Sequence, residues 1–80
     1  MKLSDFNDLI SQTHDVFAEC QKKFYNADKA LKDCTNEHDR EGIQFIKDIH
    51  FHRQDTVFCA LNSLIIARDI LKRFGYIEED

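Results

Sequence analysis

The stretch Asp48-Ile49-His50-Phe51-His52-Arg53-Gln54-Asp55 holds the densest set of side chains able to do chemistry. Asp48 and His52 stand four residues apart, so on a helix they share a face with the spacing of two divalent-metal ligands, to which His50 and His38 could add. A di-iron carboxylate bundle needs a Glu-x-x-His motif repeated on another helix, and a zinc hydrolase needs H-E-x-x-H; neither string occurs. No metal and no cofactor is expected, and His52 reads as a solvated imidazole beside a helical aspartate.

Arg53 falls where a helical seam should be apolar. If the chain reverses near Thr35 to Glu37, Arg53 comes level with Glu19 and Cys20. Glu19, His52 and Arg53 then form a polar notch. Its functional reading is a receptor for a partner's carboxylate or an anion; its structural reading is a Glu19–Arg53 ion pair that fixes register.

Nucleophilic catalysis is disfavoured. Cys20 and Cys34 fall at apolar seam positions, Cys59 lies between Phe58 and Ala60, and no glycine-rich strand-to-helix elbow is present. Neither Gly42 nor Gly75 belongs to a phosphate-binding loop. The protein is expected not to be an enzyme. Lys22, Lys29 and Lys32 with Tyr25 make a basic and aromatic strip on the first helix, able to meet a nucleic-acid backbone and stack on a base. Asp15, Asp28 and Asp33 lie near and repel phosphate, so a nucleic-acid interface stands as the alternative reading.

The elements that carry these residues are helical. Leu3, Ile10, Phe17, Phe24 and Leu31 recur every seven residues, and Phe6, Thr13, Cys20, Ala27 and Cys34 follow each by three. This is the spacing of a helix-pairing seam. With Ser4 as the expected N-cap, the first helix runs from about residue 4 to 34. The polar segment from Cys34 to Gly42 reverses the chain, with Thr35, Asn36 or Asp39 available as the next cap.

A second helix from about residue 37 to 74 follows, in which Ile43, Ile46, Ile49, Val57, Ala60, Leu64, Ala67, Leu71 and Phe74 are expected to share the seam face. Lys72 and Arg73 complement its dipole, Gly75 suits a left-handed end, and Tyr76 can fold back on Leu71. Between Val57 and Phe74 the apolar arc spreads further, to Leu61 and Ile65 on one side and to Cys59, Ile66 and Ile70 on the other. One neighbouring helix cannot cover it.

The chain is thus expected to be a single all-α domain over residues 1–80, an antiparallel helical hairpin that dimerises into a four-helix bundle through a surface including Cys59, Ile66 and Ile70. The alternative is a three-helix bundle broken near residues 53–56, with Asp55 as a cap. Composition agrees: there is no proline, and only two glycines. At 80 residues a lone copy buries too little surface to be more than marginally stable.

A net charge of −4 with interspersed signs disfavours a dedicated phosphate binder and, with acidic stretches at both ends of the hairpin, points to a basic protein partner. Apolar runs are too short for a membrane span, nothing in the first residues marks export, and three unpaired cysteines suit a cytoplasmic setting. The function expected is a small non-enzymatic interaction, regulatory or accessory protein acting as a homodimer.

Overall fold

A computed structural model describes residues 2–78 of the chain. Two helices, α1 (Leu3–Asp33) and α2 (Glu37–Arg73), lie antiparallel in a rod with extents of 58 × 16 × 13 Å. Among the described residues the only β-type pairing is a single backbone bridge between Lys2 and Glu78. α2 runs unbroken through residues 53–56, so the three-helix alternative does not hold. No helix among the described residues is long and apolar enough to cross a membrane.

The reversal is tight. Asn36 has extended backbone angles and its side-chain oxygen accepts the N–H groups of His38 at 2.9 Å and Asp39 at 3.3 Å, which makes it the cap of α2. Glu37 and Asp39 then put negative charge in the first turn, where the helix dipole favours it. Arg40 reaches back across the turn and donates to the Leu31 carbonyl at 2.8 Å, which also accepts the Cys34 N–H, and to the Cys34 carbonyl at 2.9 Å, so that its guanidinium clasps the end of α1.

The far end closes by a different route. Gly75 takes a φ of 77°, its N–H donates to the Lys72 carbonyl and the Tyr76 N–H to the Leu71 carbonyl at 2.8 Å, which is the Schellman pattern. The ring of Tyr76, expected to fold back, instead stands in solvent, and Ile77 is the residue buried there. The chain then crosses the start of α1, and the Glu78 carbonyl accepts the Leu3 N–H at 2.9 Å. Ser4 is not the cap of α1: it lies inside the helix, while the Lys2 backbone N–H is held by the Asp5 carboxylate at 3.3 Å.

Cross-helix pairs fix the register. Phe17 meets Phe58 with ring centroids 5.6 Å apart, Phe24 meets Phe51 at 5.9 Å, and Lys47 Nζ lies 2.7 Å from Asp28 Oδ1. Arg68 donates to Asn7 Oδ1 at 3.0 Å. In all four pairs the residue numbers total 75, so this one relation gives the level of any residue on the facing helix.

Candidate interaction surface

The seam of α1 follows its 3-4 spacing. Phe6, Cys20 and Ala27 are buried, and Leu3, Ile10, Phe17, Phe24 and Leu31 are half-buried. α2 presents only part of the face expected. Facing α1, half-buried or buried, are Ile43, Lys47, His50, Gln54, Val57, Leu61, Leu64, Arg68 and Leu71, spaced four and three apart, with Ile65 and Ala67 half-buried on either side of them. Leu61 lies at the centre of this face and is the one residue of α2 buried outright.

Of the residues expected in the seam, Ile43, Val57, Leu64 and Leu71 are half-buried within it and Ala67 is half-buried beside it, whereas Ile46, Ile49, Ala60 and Phe74 are exposed, Ile46 by 49% and Phe74 by 67%. These four belong to a flank beside the seam. The reason for the correction is electrostatic and steric. Lys47 is drawn inward by Asp28 and sits 5.6 Å over the Phe24 ring, Arg68 is drawn in by Asn7, and Phe51 and Phe58 lean onto the rings of α1. Those contacts turn α2 so that much of its aliphatic surface faces sideways.

The middle of the seam is polar in consequence. His50 Nδ1 and Gln54 Oε1 are buried there without a hydrogen-bond partner. Each such atom costs about 1–3 kcal/mol relative to a satisfied one. Asp28 stands at the seam's rim, and its carboxyl is held below the usual carboxylate range by the hydrogen bond from Lys47 first and that from Lys32 second.

The expected notch does not assemble within one chain. Glu19 is joined to Lys23 at 3.2 Å, Arg53 is exposed rather than in the seam, and His52 is exposed with its ring against Phe51. Asp48 accepts the side-chain amide of Gln44 at 2.8 Å. Among the described residues no three His, Cys, Asp or Glu side chains converge as a metal site would require.

The two sides of the hairpin differ. On one, Leu9 and Val16 of α1 meet Val57 and Ala60 of α2 across a shallow groove, and the helical repeat carries this strip to Ala30 on α1 and to Ile46, Ile49, Ala67 and Phe74 on α2. Lys23, Glu19 and Arg53 are charged residues at its middle. On the other side, Phe17, Phe51 and Phe58 are bordered by Asp55, and the α2 repeat there also brings Asp48 and Asp69.

Of the residues expected to meet a partner, Ile70 lies on the aliphatic side, while Cys59 and Ile66 occupy the back of α2; all three are exposed. Lys22, Tyr25, Lys29 and Lys32 lie on the back of α1 and toward the acidic side, exposed, with Lys32 joined to Asp28 at 3.1 Å.

The aliphatic flank and the charges set in its middle are what this surface offers for recognition. No protein-family model matches the chain, no curated protein matches it, and no solved structure does.

Proposed function

We propose that this chain is a small non-enzymatic interaction or regulatory protein of the cytoplasm that works as a helical homodimer, its paired aliphatic flanks completing a four-helix bundle. The observation that carries this reading is the strip from Leu9 and Val16 to Ile46, Ala60, Ala67 and Phe74, which a lone hairpin leaves in water. The area agrees. A compact monomer of 9.5 kDa exposes about 5,000 Å² by the usual size scaling. This chain exposes 6019 Å², an excess of ~1,000 Å², comparable with the ~800 Å² that each partner contributes to a standard interface.

The ends of the bundle are left for a further partner. At the loop end Asp33, Glu37, Asp39 and Glu41 are exposed against Lys32 and Arg40, a negative surface suited to a basic protein, whereas at the other end Lys2, Lys72 and Arg73 offset Asp5, Asp8 and Glu78. Sedimentation at low micromolar concentration should give twice the chain mass. Ala67→Glu, which puts a charge into the flank, should give the monomer with most of its helical signal retained. A wild-type chain that stays monomeric at high concentration would refute the homodimer. Nucleic-acid binding that weakens steeply with salt, and whose salt slope falls on Lys29→Ala, would replace it with a phosphate-binding role for the Lys22–Tyr25–Lys29–Lys32 strip.

A further inference from the structure

Resting on the homodimer reading, we infer that the occupant of the aliphatic flank is a second copy turned end for end, its two-fold axis perpendicular to the rod, so that the two loops lie at opposite ends of the bundle.

The relief of the flank makes it complementary to itself. In the half near the termini α1 carries the large residues Leu9 and Val16, and level with them α2 carries Ala67 and Ala60. In the half near the loop the sizes reverse, Ala30 on α1 standing beside Ile46 on α2. A ridge therefore crosses from one helix to the other at mid-length. Leu9 and Ile46 of one copy fall on alanines of another under a two-fold axis either along the rod or across it, and the match is of the self-complementary kind that closed dimers need.

The charges between the two halves decide which axis. Lys23 and Arg53 stand at one level on the same flank. An axis along the rod keeps every residue at its own level, so it sets Lys23 of each copy against Arg53 of the other. Four cations would then share one partly dehydrated layer, with only the two Glu19 carboxylates to offset them, and like charges so placed oppose association.

An axis across the rod leaves the offset free. Placed near Glu19 and Cys20 on α1, level with Thr56 and Val57 on α2, it seats Leu9 on the second copy's Ala30 and Ile46 on its Ala67. Lys23 then lies over Val16 and Arg53 over Ala60. The aliphatic stems cover apolar surface and the charged heads leave at the rim, where long basic side chains are tolerated. Of the two axes, only this one both fills the small positions and separates the cations; the two Glu19 carboxylates that it brings near the axis are each joined to the Lys23 of their own copy.

The two arrangements differ most at the loops. With spin labels on Thr35→Cys in a chain also carrying Cys20→Ala, Cys34→Ser and Cys59→Ser, the end-for-end dimer should give one distance of about 45 Å, from the helical rise. A dimer giving a distance under ~20 Å, the spacing of neighbouring helices plus label arms, would overturn the arrangement while leaving the homodimer intact. A chain shown monomeric by sedimentation would overturn both. Should the cysteine-free chain fail to fold, a size exchange in the native background decides. Leu9→Ala should weaken dimerisation by on the order of tenfold, and adding Ala30→Leu should recover most of that loss because the two sites face each other across the axis. Additive losses in the double variant would refute the placement.

Discussion

The two helices are of similar length but write their seams differently. α1 carries an apolar stripe, cysteine included, relieved only by Thr13, and its buried residues fall on it. α2 turns Lys47, His50, Gln54 and Arg68 toward α1 and leaves Ile46, Ile49, Ala60 and Phe74 outside. The contrast teaches that a hairpin need not spend its apolar surface on itself. The helix with more aliphatic surface than one neighbour can cover meets that neighbour with a mixed face and leaves the remainder exposed.

The sharpest way to break this contrast is to compare truncations at the centre of the α2 seam and on its back. Leu61→Ala should lower unfolding stability by about 2–4 kcal/mol, whereas Ile66→Ala, a residue 58% exposed, should cost less than about 0.5 kcal/mol in urea titrations. Equal costs would mean that α2 is turned the other way. The polar middle of the seam gives a smaller effect of opposite sign. Gln54→Met replaces a buried unpartnered oxygen with a flexible apolar chain, and the urea midpoint should rise, by the equivalent of about 1 kcal/mol. A fall would show that Gln54 has a polar partner in the working assembly.

The smallest expected effect is a pH dependence at the rim. Because Asp28 has a lowered pKa in the fold, chiefly through Lys47, the stability it contributes is complete above the ordinary carboxylate range and is lost as pH falls through the depressed value. Asp28→Asn should lower the urea midpoint slightly at neutral pH and remove this part of the decline on acidification. Parallel acid profiles for the two chains would show that the Asp28–Lys47 contact does not bear on folding.

Much of the architecture was legible from residue order. The 3-4 spacing of α1, the absence of proline, a capping residue among Thr35, Asn36 and Asp39 at the reversal, of which the structure uses Asn36, and Gly75 past the last turn each act through local geometry, and local geometry is what spacing encodes. The orientation of α2 was not legible. From Val57 to Leu71 its apolar residues surround most of the helix, so periodicity does not single out one face, and the outcome turned on Asp28, Asn7 and the rings of Phe17 and Phe24 across the seam. Arg40 as the clasp on the end of α1, and Ile77 with Glu78 as the closure of its start, were likewise hidden, because each acts on a backbone distant in sequence.

By itself, then, the sequence determined two long helices, the stop at the end of α2 and the side of α1 that turns inward, since helix propensity, capping and a seven-residue repeat operate within a few residues along the chain. Tertiary structure alone decided which arc of α2 meets α1 and therefore which aliphatic strip remains in water. That choice depended on contacts between residues tens of positions apart, where a lysine finding its aspartate and aromatic rings finding one another outweighed the count of apolar side chains on any single face.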